Sequence, residues 1–260
     1  MMSVVNYSFA LILMLAIAIA FWGVSLVKKD VSIVDSLWSL FFIIAVVAIY
    51  AQLDTATLRA NLVLLLVSVW GIRLSLYITI RHWGKEEDHR YQVIRENNNP
   101  GFSFKSLYLI FSFQAFIAWI VAWPLFFSIE STSSFNLLDI LALVLWLVGM
   151  YFECVSDYQL YRFKKNPDNK GKILTSGLWQ YTRHPNYFGE CLIWWGFFCF
   201  ALSSGAYIAV LSPLLMTFLL LKFSGVMLLE QTMKTRPGYE VYMQHTNAFV
   251  PGIGNKRGVR

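Results

Sequence analysis

Seven stretches of this chain, near 4–27, 33–50, 60–80, 105–128, 136–158, 188–203 and 206–229, are candidate membrane spans. Each crossing helix takes about 20 predominantly apolar residues. The runs are continuous rather than alternating over about ten residues, which argues against a barrel. Charged residues make up only 14% of the chain, against about 25% in a soluble domain. No linker, low-complexity segment or repeat of 20–50 residues divides the sequence. The expected fold is therefore an all-α polytopic membrane protein, a bundle of about seven transmembrane helices in one domain spanning residues 1–260.

The start of the chain has no basic n-region, and its apolar run is too long for a signal peptide, so it is expected to be a retained helix. The net charge of +6 would point to nucleic acid in a soluble protein. Here it follows the membrane, and no nucleic-acid partner is expected. Of the 21 basic residues, all but Arg59, Arg73 and Lys222 fall on one side, including Lys256, Arg257 and Arg260 of the tail. By the positive-inside rule that side is cytoplasmic, the N-terminus lies outside and the number of spans is odd. Cys154, Cys191 and Cys199 lie in apolar spans without paired spacing. They read as packing residues, not a disulfide framework or a metal site.

Charged groups inside spans cost at least about 2.5 kcal/mol each by insertion scales, so they face a cavity or a partner. Asp35 in span 2, Arg73 in span 3, Glu153 and Asp157 in span 5, Glu190 at the start of span 6, and Lys222 and Glu230 in span 7 are the cases here. Glu153 and Asp157 stack on one helix face. Two carboxylates so placed repel unless something polar lies beside them. For Lys222 or Glu230 alone an internal ion pair is the plainer reading. Arg81 and Arg90, on the loop after span 3, have the guanidinium fork that grips phosphate through two hydrogen bonds.

The stretch "TRHPNYFGE", residues 182–190, gathers donors and acceptors at the membrane edge. Pro185 suits the first turn of a helix, which sets Arg183 and His184 beside free backbone amides at the positive dipole end, an anion site. Asn186 and Glu190 share one face and suit hydroxyls or an amide-bearing ring. Tyr181 and Tyr187 supply flat surfaces or phenols. An interfacial cap would use Trp179, Tyr181 and Tyr187 alone, without needing Arg, His, Asn and Glu together.

The segment "GLWQYTRHPNYFGE", its following apolar helix and the tail "RPGYEVYMQHTNAFVPG" resemble the steroid 5-alpha-reductase C-terminal family, in particular its bacterial DUF1295 branch. The resemblance implies a seven-helix bundle holding NADPH in a cytoplasm-facing cavity, where it reduces a carbon–carbon double bond conjugated to a ketone. By position it implies cofactor contacts from Asp157, Arg183, His184, Asn186, Glu190 and Tyr242, with Glu153 standing where steroid reductases tend to carry an asparagine. Those enzymes polarise the ketone with a Gln-Glu pair in the second helix and a tyrosine in the third. This chain offers Asp35 and, near Arg73, Trp70, so the steroid substrate is not carried over. The branch also makes a bacterial inner membrane the expected location, with the active site facing the cytoplasm.

On that resemblance the cofactor phosphates are expected near Arg81, Lys164, Arg183 and Arg236, with a lipophilic enone entering from the bilayer. Asp35 is the candidate acid, since burial can keep a carboxyl protonated; the alternative is that it pairs with Arg73. The "RHPxYxG" signature is also similar to integral-membrane methyltransferases of the isoprenylcysteine type, which bind S-adenosylmethionine. The cations across three cytoplasmic loops and the "SD" of span 5 favour the longer, multiply phosphorylated ligand.

Overall fold

The computed structural model describes residues 4–223 and 225–252; Lys256, Arg257 and Arg260 lie outside them. The described chain is helical, with an isolated parallel bridge between Thr182 and Asn247 in place of any sheet. Five helices are long and apolar enough to cross a membrane: α1 (Val4–Lys28), α2 (Ile33–Tyr50), α3 (Leu58–His82), α5 (Phe102–Val121) and α7 (Leu137–Lys165). A short polar helix, α4 (His89–Asn97), lies between α3 and α5, and α6 (Trp123–Ile129) follows α5. The sixth and seventh expected spans form α8 (Pro185–Ser203) and α9 (Tyr207–Lys222), which fall outside those five. α8 opens on Asn186 and Glu190, which lowers its mean hydropathy, and α9 is shorter. Two short helices follow, α10 (Val226–Met233) and α11 (Tyr239–His245).

Helix starts follow local chemistry. Thr57 Oγ1 accepts from Ala60 N at 3.2 Å to open α3, and Asp88 accepts from Arg90 N at 3.0 Å to open α4. A capping box opens α7, with Asn136 Oδ1 accepting from Leu138 N and Asp139 Oδ2 accepting from Asn136 N. Such caps satisfy backbone donors that have no partner within the helix.

The chain forms two compact units, Met1–Phe135 with Phe200–Ala209, and Asn136–Cys199 with Val210–Arg260. In the first, α2 and α3 cross where Gly71 meets Ser39: Ser39 Oγ donates to the Gly71 carbonyl at 2.8 Å, and a Cβ at Gly71 would lie 3.0 Å from the Ser39 carbonyl. α1 is locked to α5 by Tyr7, whose ring stacks 4.1 Å from Trp119, with each side chain donating to the other's carbonyl. Arg59, fully buried, donates to Ser131 Oγ, Ser133 Oγ, the Ser133 and Ser134 carbonyls, and Ser203 Oγ. A buried cation needs that shell, and it pins the loop after α6.

In the second unit α7 and α8 touch backbone to backbone. A Cβ on Gly189 would lie 2.6 Å from the Gly149 carbonyl and 2.7 Å from Glu153 N, and one on Gly196 would lie 2.9 Å from the Ala142 carbonyl. Small residues at membrane helix crossings permit this approach. Gly189→Ala must therefore push the helices apart, because the obstructing atoms are main chain. The expected loss is about 1–3 kcal/mol, read as a lower thermal midpoint in detergent; an unchanged midpoint would show that the crossing has slack.

Candidate functional site

The close crossing decides which polar groups meet. On α7, Glu153 and Asp157 face inward and are 2% and 4% exposed, while Tyr151, Tyr158 and Tyr161 on the same helix are more than half exposed. Gly189 brings the first turns of α8 against Glu153, its Cβ position lying 3.1 Å from that of Glu153. Asn186 Nδ2 then reaches Asp157 Oδ1 at 3.5 Å, a long contact, and Glu190, also buried, accepts from Trp194 Nε1 at 3.2 Å. Three carboxylates and one amide thus gather around a single helix pair. Burying several carboxylates together is unfavourable unless donors serve them.

α8 begins at Pro185, as the sequence predicts, and Arg183 and His184 precede it. Both side chains turn to Glu230 on α10. Arg183 Nε donates to Glu230 Oε1 at 2.7 Å, its Nη2 lies 2.7 Å from the same oxygen, and its Nη1 donates to the carbonyls of Met243 and Thr246. His184 Nε2 lies 3.3 Å from Glu230 Oε1, and its ring stacks on Tyr187 at 5.6 Å. Burial pushes the His184 pKa below its ordinary value, against the upward pull of Glu230 and with Arg183 adding to the depression, so the ring is neutral at pH 7. Glu230 thus shows the internal ion pair that its position suggested. Arg183 is engaged within the protein, and its fork is not open to a phosphate in this arrangement.

The tail explains why. Residues 246–252 run beside 181–183: Arg183 N donates to the Asn247 carbonyl at 2.9 Å, Thr182 Oγ1 to the Phe249 carbonyl at 2.8 Å, and Gly252 N to the Tyr181 carbonyl at 2.9 Å. Tyr242, on α11, donates from its hydroxyl to the Trp179 carbonyl, and burial raises its pKa. Tyr181 is partly exposed, Lys164 ends α7 on the surface, and Arg236 Nη1 donates to the Lys172 carbonyl at 3.3 Å. Of the expected cofactor residues in this unit, Glu153, Asp157 and Asn186 meet at the α7–α8 crossing, and Glu190 is buried on α8 with Trp194 of the same helix as its donor. Arg183, His184, Tyr187 and Tyr242 form a neighbouring structural cluster, and Lys164 and Arg236 stay at the surface.

The first unit holds a second polar cluster. Asp35 Oδ2 accepts from Arg90 Nη2 at 2.6 Å and its Oδ1 accepts from the Tyr91 hydroxyl at 2.5 Å. Gln114 Nε2 donates to the same phenol at 3.2 Å, and Arg90 is braced by Asp88 at 2.9 Å. The ion pair expected between Asp35 and Arg73 is replaced by one with Arg90. Arg73 and Arg81 instead lie over the Tyr77 ring, at 5.6 and 5.7 Å. Neither Tyr91 nor Gln114 was singled out from the sequence, and Arg90 only as an anion ligand. The available signal was Asp88, a cap that starts a helix at residue 89 and turns Arg90 and Tyr91 back toward the membrane.

A family profile described as "Protein of unknown function (DUF1295)" matches residues 21–246. The chain belongs to the DUF1295 family. An uncharacterised protein of Schizosaccharomyces pombe is 25% identical over 264 residues, covering 89% of this chain and 76% of that one. Two shorter likenesses carry named activities. The mouse 3-oxo-5-alpha-steroid 4-dehydrogenase 1 is 43% identical over 53 residues, 20% of this chain and 21% of its own. A probable O-methyltransferase of Ustilaginoidea virens is 50% identical over 44 residues, 17% of this chain and 16% of its own. The chain thus spans about a fifth or less of those two relatives. No solved structure matches.

Proposed function

We propose that this DUF1295 protein is a membrane-embedded, NADPH-dependent oxidoreductase that reduces a carbon–carbon double bond conjugated to a ketone in a lipophilic substrate. The observation that carries the reading is the Glu153, Asp157, Asn186 and Glu190 group at the α7–α8 crossing. Its acceptor-rich chemistry fits ribose hydroxyls and a carboxamide, so the residues present suit a nicotinamide cofactor. The short likeness to a 3-oxo-5-alpha-steroid 4-dehydrogenase supports the same class. When bound, the dihydronicotinamide supplies a hydride to the β carbon.

The chain's own contribution is binding and charge stabilisation. Asp157 and Asn186 orient the amide end, and Glu153 and Glu190 accept from hydroxyls. With the fork of Arg183 engaged by Glu230, phosphate charge falls to Lys164 and Arg236. In the first unit the Tyr91 phenol donates its one O–H to Asp35 and accepts from Gln114; turned from Asp35 to the substrate, that O–H is a donor suited to an oxygen that gains negative charge. Burial first, and then the Asp35 carboxylate, holds its pKa well above the ordinary phenol value. It therefore keeps its proton throughout the physiological range. Asp35, beside a guanidinium, is better suited to orient this phenol than to act as the acid itself. The basic loops support a cytoplasmic site with the N-terminus outside, and the DUF1295 membership is the ground for a bacterial inner membrane.

A specific likeness favours a second reading, an S-adenosylmethionine-dependent methyltransferase. The purified chain in detergent separates them. NADPH at 100 times its Kd is expected to stabilise the folded state by about 2.7 kcal/mol, raising the thermal midpoint, while S-adenosylmethionine leaves it unchanged. Stabilisation by the methyl donor alone would reverse the assignment.

A further inference from the structure

The C-terminal end of α7 carries a feature that the reductase reading leaves unused. At about 1.5 Å per residue, its 29 residues reach about 44 Å, well beyond a hydrocarbon core of about 30 Å. The first 20 residues, 137–156, suffice to cross, so the last two turns stand at the level of the lipid headgroups. There the surface holds a cavity of about 460 Å³ lined by Tyr158, Tyr161, Arg162, Lys165 and Asn166. Both tyrosines are more than half exposed. The Arg162 guanidinium lies 5.9 Å over the Tyr158 ring, which fixes the cation at the cavity wall.

Neither Arg162 nor Lys165 makes an ion pair with a carboxylate among the described residues. Two cations, an amide and two phenols therefore line one concave patch. It lies on a different side of α7 from the buried Glu153 and Asp157, so the cofactor group does not account for it. A fork-shaped guanidinium and an ammonium at this spacing suit a phosphodiester oxygen, and tyrosines sit well where headgroup meets acyl chain. The geometry points to a binding site for the phosphate of an anionic membrane lipid, with Arg162 and Lys165 as its cationic ligands, Asn166 as a polar contact and the two tyrosine rings flanking the glycerol region. Charge complementarity and the place of the patch along α7, at the level of the headgroups, favour a lipid over a soluble anion.

The test uses the full chain in a non-ionic detergent, titrated with dioleoyl phosphatidylglycerol or dioleoyl phosphatidylcholine, with bound lipid counted by native mass spectrometry. Preferential retention of phosphatidylglycerol is expected. The double variant R162Q/K165Q should weaken that retention about thirtyfold, since each basic residue near an anionic surface contributes about fivefold. The charge-keeping pair R162K/K165R should retain it, which separates a charge effect from misfolding. Equal retention of the two lipids would overturn the proposal, as would undiminished phosphatidylglycerol binding in R162Q/K165Q or its loss in R162K/K165R. Inorganic phosphate displacing phosphatidylglycerol at millimolar concentration would assign the patch to a soluble anion instead, and would equally overturn it. NADPH binding is not a readout here, so the outcome is independent of the reductase assignment.

Discussion

Arg183→Ala is expected to destabilise the protein by about 3–5 kcal/mol, the loss seen when one partner of a buried ion pair is removed. The side chain is 7% exposed and Glu230 14%, so solvent screens little of the interaction. Truncation leaves Glu230 without its cationic partner, beside the neutral His184 ring, and deprives the Met243 and Thr246 carbonyls of their donor. The tail then keeps the contacts of Arg183 N, Thr182 Oγ1, Gly252 N and the Tyr242 hydroxyl. A lower thermal midpoint should thus come with faster proteolysis around residues 239–252. Arg183→Lys retains the charge but loses the fork, and should fall between. The double variant Arg183→Met with Glu230→Leu should recover much of the loss, because well-packed apolar replacement of a buried pair is often neutral or stabilising. A direct phosphate ligand would behave differently: Arg183→Ala would leave stability nearly intact and weaken NADPH alone, and that result would remove the structural role assigned to this side chain.

Arg183 also marks the limit of what could be read before the fold was known. The helical membrane architecture was legible because a run of about 20 apolar residues has few other uses, and Pro185 announced the start of α8 through its missing amide donor. The inward face of Glu153 and Asp157 was legible from their spacing. What was not legible is long-range pairing. Glu230 lies 47 residues from Arg183, and Arg90 and Tyr91 lie 55 and 56 residues from Asp35. A guanidinium at a helix start suits a phosphate or a carboxylate equally well. Local sequence carries nothing that tells which of the two arrives. The glycines give no local signal for the same reason. Gly149, Gly189 and Gly196 look like ordinary small residues in an apolar run, and only the partner helix turns them into the contact that gathers the acidic group.

The Tyr91 cluster yields the other large expectation. Tyr91→Phe removes one hydroxyl from a 6% exposed side chain and keeps the ring. Turnover of a lipophilic enone with NADPH should fall by about 10²–10⁴-fold, the usual contribution of a positioned proton donor, while the rise in thermal midpoint on adding NADPH persists. Asp35→Asn acts through the phenol instead. In the proposed reaction the neutral phenol is the active form, and the Asp35 charge is one of the causes that raise its pKa. Removing that charge lowers the pKa toward the ordinary phenol value, though burial, the larger cause, remains. The alkaline limb of the pH–rate profile should therefore move to lower pH in Asp35→Asn, with a smaller loss of turnover near neutrality than in Tyr91→Phe. Asp35 as the acid itself predicts the reverse order: Asp35→Asn abolishes turnover at every pH and Tyr91→Phe is the milder change. A purely structural cluster predicts neither, since both variants would then lower the thermal midpoint and leave the pH profile of the surviving activity where it was. The three outcomes rest on which side chain carries the proton to the substrate; in the resting arrangement the Tyr91 hydroxyl holds it and donates to Asp35 Oδ1 at 2.5 Å.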